Sequence, residues 1–270
     1  MRRARTRMIR LLGSVAMAAL LGLSVAGCTT TSDDITGSIG APAAPHSDAD
    51  WRQSLDNWGQ RYKQNPGDAE AAINYAKALR ATEQRAQAVA VLEQASMRNP
   101  RDMALLGAYG RALADAGDYN QALDVLDRAH TPDNPDWRIL NAQGAVLDQL
   151  GRHAEAQRHY AAALKIMPNE PSILSNLGLS YLLTKDLKQA EATLRRAAGQ
   201  PNAAPKVRQN LALVVGLEGR FAEAEKIAAA ELPPDEAAAN IEYLRAMLAQ
   251  QQRDWKKPGN QRGPALNAGT

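Results

Sequence analysis

The chain has almost none of the residues from which disulfide frameworks, aromatic cores or metal centres are built. A single cysteine, Cys28, stands among 270 residues, so no internal disulfide and no cysteine-based zinc ribbon can form. Aromatic residues make up 4% of the chain, with one phenylalanine, against a hydrophobic content of 45%. That balance disfavours a sandwich or barrel core and suits close packing of alanine-rich helices. The histidines are His46, His130, His153 and His159, and no two of them stand at the i, i+4 spacing of a helical metal pair. GxSxG, HExxH, phosphate-loop and dinucleotide-loop patterns are all missing. No catalytic residue, metal, cofactor or small-molecule substrate is therefore expected, and the chain reads as a non-enzyme.

Basic charge is also scarcer than the pI near 9.0 suggests. Five of the 32 basic residues are Arg2, Arg3, Arg5, Arg7 and Arg10, and residues 1–28 hold no acid. The remainder carries 27 basic against 29 acidic residues, a net of −2, with no basic stripe interleaved with aromatics. A nucleic-acid partner is thereby disfavoured.

The one long apolar run, Ile9 to Ala26, follows those arginines and leads into Val25-Ala26-Gly27-Cys28. Residues 1–27 read as a secretory signal, excluded from the fold. The last four residues resemble the lipobox of bacterial lipoproteins, which implies cleavage before Cys28 and acylation of its thiol. With more than one acyl chain, membrane attachment is firm, at about 0.8 kcal/mol per buried methylene. Thr29, rather than aspartate, follows the cysteine, and in the lipoprotein class this resembles, that implies sorting to the outer membrane, facing the periplasm. Residues 28–49, polar with small residues and no periodicity, read as a flexible tether.

What is present in abundance is repetition. Trp137–Glu170 holds Leu140, Gly144 and Leu147 at helical spacing, a break at Gly151, then Ala156, Tyr160 and Ala163 before Pro168. Shifting by 34 residues recovers the same slots. A small first-helix residue recurs as Ala76, Gly110, Gly144, Gly178 and Ala212, and a second-helix alanine as Ala88, Ala122, Ala156, Ala190 and Ala224. Small residues there let helix axes approach to the short end of the roughly 8–10 Å range. Larger neighbours fill the flanks: Leu79, Leu113, Leu147, Tyr181 and Val215 on first helices, Leu92, Leu126, Tyr160 and Leu194 on second helices. Five units of this period over residues 69–238 are a tetratricopeptide-type array, predicting an all-α right-handed superhelix, an α-solenoid of helix hairpins.

An open-ended stack needs caps. Residues 50–66 are expected to form an amino-terminal capping helix that packs Trp51, Leu55 and Trp58 on the first hairpin. Residues 235–250, amphipathic through Ile241, Leu244, Met247 and Leu248, are expected to stand in for a sixth first helix. Glu231 in an alanine slot, with Leu232-Pro233-Pro234 after it, should end the fifth hairpin's second helix early, and residues 251–270 read as a disordered tail. Lys185-Asp186 stands where three other hairpins carry the turn glycines Gly117, Gly151 and Gly219.

Such a stack presents a concave face lined by first helices, at positions two, five, six, nine, twelve and thirteen of each repeat. The expected partner-binding residues are Arg138, Asn141, Asp148 and Gln149 in the third unit, and Asn176, Leu179, Leu182 and Leu183 in the fourth. The fifth supplies Lys206, Gln209, Asn210, Leu213 and Leu217. Leucines facing an open groove mark a site for another polypeptide, unless they pack against the closing helix. Lys77 and Arg111 occupy positions where a peptide-carboxylate clamp would want asparagine.

The runs Lys206–Leu213, Gly219–Glu225 and Asp235–Leu244, with Asn141–Asp148 and Gly151–Ala156, resemble TadD, the tetratricopeptide lipoprotein of the tight-adherence (Flp) pilus assembly system. The similarity covers roughly residues 69–250. It implies a pilotin-like assembly factor at the outer membrane that helps the pilus secretin reach or assemble in that membrane. Other lipoproteins of this architecture, serving β-barrel assembly or type IV pili, are the alternative.

Overall fold

The computed structural model describes residues 47–255. The signal segment, Cys28, the tether up to His46 and residues 256–270 lie outside the described residues. Among the described residues twelve helices follow one another: α1 Asp48–Gln64, α2 Ala69–Ala81, α3 Arg85–Arg98, α4 Met103–Ala116, α5 Tyr119–Asp127 and α6 Trp137–Gln149. Then come α7 His153–Ile166, α8 Pro171–Leu183, α9 Leu187–Ala198, α10 Pro205–Leu217, α11 Phe221–Ala228 and α12 Pro234–Trp255. The only β pairing among the described residues is a bridge between Thr131 and Asn134. The fold is an all-α solenoid in which α2–α3, α4–α5, α6–α7, α8–α9 and α10–α11 form successive hairpins.

Local chemistry repeats with the period. First helices start on an acidic cap: the Asp68, Asp102, Asp136 and Glu170 side chains accept from Ala71, Leu105, Arg138 and Ser172 backbone N–H groups. Ala204 offers no such acceptor, and α10 begins instead with Pro205 in its first turn. At the turn inside each hairpin one residue takes a left-handed conformation: Glu83 (φ 62°), Gly117 (89°), Gly151 (74°), Lys185 (63°) and Gly219 (85°). The lysine thus keeps the geometry that glycine provides elsewhere.

The alanine slot of the second helices, from Ala88 to Ala224, is 0% exposed throughout. The opposing glycines leave room for the second helix's large residue. A Cβ on Gly110 would sit 2.5 Å from Leu126 Cγ, one on Gly144 2.5 Å from Tyr160 Cε1, and one on Gly178 2.6 Å from Leu194 Cγ. Helix periodicity thus sets hairpin packing. The buried residues form successive clusters, from one around Leu79, Leu92, Leu113 and Leu126 to one around Leu194, Leu211, Val214 and Val215.

Three boundaries differ from expectation. α1 begins at Asp48, so the last residues of the expected tether are structured. Ser47 is its cap, in a reciprocal box with Asp50: Ser47 Oγ accepts from the Asp50 N–H, and the Asp50 carboxylate accepts from the Ser47 N–H. α5 has nine residues where α3 and α7 have fourteen, and a turn carrying Pro132 and Pro135 takes the place of its end. α12 runs on to Trp255, which corrects the disordered reading for residues 251–255: no glycine or proline interrupts the sequence before Pro258. α11 stops at Ala228, ahead of the Pro233-Pro234 pair. α12 then buries Ala237, Ile241 and Leu244, the last against Gly216.

Candidate partner-binding groove

First helices α2, α4, α6, α8 and α10 lie side by side, each touching the next, and polar side chains join them. Asn176 Nδ2 on α8 donates to Asn141 Oδ1 on α6 at 3.0 Å, and Asn210 Nδ2 on α10 donates to Ser175 Oγ on α8 at 3.1 Å. These are positions five and six of successive repeats, so one amide ladder spans three hairpins. Arg80 on α2 pairs with Asp115 on α4. Because each bond joins two hairpins, the ladder fixes how neighbouring first helices are placed and leaves amide and hydroxyl groups along the face.

Two expected groove residues, both at position twelve, belong to the interior instead, and Asn141 is a third. Leu182 is 7% exposed and packs with Ala190, Leu194, Leu211 and Val214. The Asp148 side chain is 8% exposed. Its Oδ1 accepts from Ser180 Oγ at 2.9 Å and lies 2.8 Å from His153 Nδ1, while Oδ2 accepts from Tyr160 OH at 3.1 Å. Both residues hold position twelve, four after the glycine that faces the second helix. Residues four apart share a helix face, so position twelve turns inward. Burial, reinforced by the Asp148 charge, pushes the Tyr160 hydroxyl well above its ordinary range.

Asn141 is 1% exposed and reaches the face only through its bond to Asn176. Leu179, Leu213 and Leu217 are half-buried with their inner sides on the α8–α10 core, whereas half-buried Leu183 packs on no core cluster. Lys206, Gln209 and Gln149 are exposed, and Asn176 and Asn210 half-buried. Arg138 stacks over Trp137, its guanidinium carbon 4.6 Å from the ring centre. The structure therefore gathers Asn176, Leu179, Leu183, Gln209, Asn210, Leu213 and Leu217 along α8 and α10. Ser175 and Ser180, which the sequence reading missed, hold that wall together. Their signal was a serine 35 residues before Asn210 and another 32 after Asp148.

A second polar cluster lies where α5 is cut short. Gln143, 2% exposed, donates from Nε2 to Asp127 Oδ1 at 2.7 Å, and its Oε1 is buried without a partner, as are Nδ1 of His130 and of His159. Burial lowers the His159 pKa; nearby Asp127 opposes this and His130 adds to it. Among the described residues no group of three His, Cys, Asp or Glu side chains could hold a metal ion. No described helix is long and apolar enough to cross a membrane.

Residues 75–136 and 149–214 each match the tetratricopeptide repeat family. Over those residues the hairpins are tetratricopeptide repeats. Solved repeat structures superpose broadly. PilW, described as a widely conserved type IV pilus biogenesis factor, aligns at 16% identity over 78% of this chain and 89% of its own, with a TM-score of 0.56. The APC/C hetero-tetramer Cut9–Hcn1 aligns at 14% identity over 75% of this chain and 40% of its own, with a TM-score of 0.62. The human IFIT1 dimer with m7Gppp-AAAA aligns at 14% identity over 77% of this chain and 52% of its own, with a TM-score of 0.61. At such identities the likeness is one of fold. No curated protein matches the chain in sequence. Tetratricopeptide repeats bind protein partners, and the face of α8 and α10 is where this array offers apolar and amide groups together.

Proposed function

We propose that the protein is a non-enzymatic, lipid-anchored assembly factor that holds a segment of the Flp pilus secretin against its first-helix face at the outer membrane. The observation that carries this reading is the wall formed by Leu179, Leu183, Leu213 and Leu217 beside the Asn141–Asn176 and Ser175–Asn210 bonds. Apolar side chains contribute contact area, and amides can meet the backbone of an extended chain. The lipobox-like Val25–Cys28 and the resemblance to TadD supply the membrane and the pilus system. Attachment to the partner's own membrane raises effective concentration, so modest affinity suffices.

PilW supports a neighbouring reading, service to a type IV pilus, since a pilus biogenesis factor is built on the same fold. Co-purification from solubilised outer membrane separates the two by which secretin is retained. Leu183→Glu with Gln209→Glu should lower that retention at least fivefold with helical circular dichroism unchanged, because neither side chain supports a core cluster. Unchanged retention overturns the groove assignment. Cys28→Ser should release the protein from the outer-membrane fraction and reduce surface pili; full piliation by a released variant removes anchoring from the mechanism.

A further inference from the structure

The closing helix α12 keeps the burial pattern of a first helix in a register of its own. α8 and α10 bury positions three, seven and ten of their repeats: Ile173, Leu177 and Ser180, then Val207, Leu211 and Val214. α12 buries Ala237, Ile241 and Leu244 at the same spacing, 30 residues after those of α10, where α10 follows α8 by 34. The difference of four matches α11, which has eight residues where α9 has twelve. Counted in that register, Asn240 takes position six after Asn176 and Asn210, and Tyr243 takes position nine after Leu179 and Leu213. Met247 takes position thirteen after Leu183 and Leu217. Tyr243 is 54% exposed and Met247 half-buried. α12 thus closes the core with one face and carries the groove one helix further with another.

Two features of this wall restrict what it holds. Positions five, six, nine, twelve and thirteen of α8, α10 and α12 contain no charged residue, whereas α2 and α4 place Lys77, Arg80, Arg111 and Asp115 at them. Lys206 and Glu236, at position two, are of opposite sign. Glu242 and Arg245 pair with each other at 3.5 Å, and Arg245 lies over the Phe221 ring on the side toward α11. A charge brought onto the wall would lose water without gaining a partner. The chain's own residues 256–270 carry Lys256, Lys257 and Arg262 and no acid, a poor match. The second feature is an unmade bond. The position five and six pairs Asn141–Asn176 and Ser175–Asn210 bond to each other, but Gln209 and Asn240 make no hydrogen bond among the described residues, and both are exposed. A helical occupant would satisfy its backbone internally, whereas an extended one brings N–H and C=O groups that such amides can pair.

We propose that Tyr243, with Met247 and Asn240, binds the partner, and that the wall from α8 to α12 takes an uncharged, apolar segment of that partner in extended form. This rests on the groove assignment of the proposed function and holds whichever protein carries the segment. The test pans a random dodecapeptide library on the immobilised full chain and measures the selected peptides, made synthetically, by fluorescence anisotropy. Selected sequences should carry Asp, Glu, Lys and Arg at less than about half their frequency in the library. Tyr243→Glu should weaken their binding at least tenfold with helical circular dichroism unchanged, as for loss of an aromatic anchor. Tyr243→Phe and Lys77→Glu should each leave it within about twofold. A library that yields no binder, selected sequences rich in charge, or binding indifferent to Tyr243→Glu overturns the proposal. So does a synthetic peptide of residues 256–270 that displaces the selected peptides at equal concentration, which assigns the wall to the chain's own tail. Self-association abolished by Tyr243→Glu overturns it in favour of a second copy. If the peptides bind through Tyr243 while the Tyr243→Glu chain still retains the secretin from outer membrane, the secretin reading fails and this one stands.

Discussion

The ring of Tyr160 fills the space that a side chain on Gly144 would need: three of its carbons would lie within 2.8 Å of the added Cβ. Glycine to alanine in a helix interior gains about 1 kcal/mol from propensity, whereas overpacking a fixed core costs about 1–3 kcal/mol. Tyr160 is 1% exposed and has nowhere to turn, so the clash dominates. Gly144→Ala should lower stability by about 1–2 kcal/mol in urea unfolding. Adding Tyr160→Leu, which recreates the Ala76 and Leu92 combination of the first repeat, should show favourable coupling in a double-mutant cycle.

Lys185 holds φ 63° where three other turns use glycine. The left-handed region costs a residue with a Cβ about 1–2 kcal/mol, and glycine gives back part of that gain through its looser unfolded chain. Lys185→Gly should therefore stabilise the protein by up to about 1 kcal/mol. Lys185→Ala should not, and equal denaturation midpoints for the two variants would sink the explanation.

Asp148 is the common acceptor for side chains from α7 and α8. Asp148→Ala would leave the Tyr160 and Ser180 hydroxyls unpaired in the interior and should cost about 2–3 kcal/mol, in the range of hydrogen bonds to a charged group. Tyr160→Phe, which removes one of these bonds and leaves the rest, should cost less than half as much by the same measurement.

His159 titrates below its ordinary value near 6.5 because burial disfavours its charged form. In the unfolded chain it takes up a proton as pH falls through about 6.5, while in the folded chain it resists. Its contribution is thus fully present above that pH and is lost as pH drops toward the folded value. Denaturation midpoints taken between pH 8 and 5.5 should fall on the acid side, and His159→Gln should flatten the slope there. A slope unchanged by the substitution would place the effect elsewhere.

Residue type at a fixed 34-residue phase made the hairpins, the alanine slot and the glycine slot legible in the sequence, since each slot answers to one steric demand. Position twelve was not legible. The sequence reading counts position twelve among the groove-lining positions of every repeat, yet Asp148 and Leu182 both follow the close-approach glycine by one turn and face inward. The ladder was half visible: Asn141, Asn176 and Asn210 were named, but their bonds cross between helices at offsets of 35, and a single-helix period does not reveal such pairs. The cut end of α5 had a signal in Pro132 and Pro135 that the repeat phase obscured.

Helices of one hairpin touch only those of adjoining hairpins or the end helices, and no hydrophobic cluster reaches from one end of the array to the other, so rupture at one end does not require rupture at the other. Under tension between its two termini, such a chain would lengthen in steps, hairpin by hairpin. It would dissipate load gradually where a protein with one central core would fail all at once.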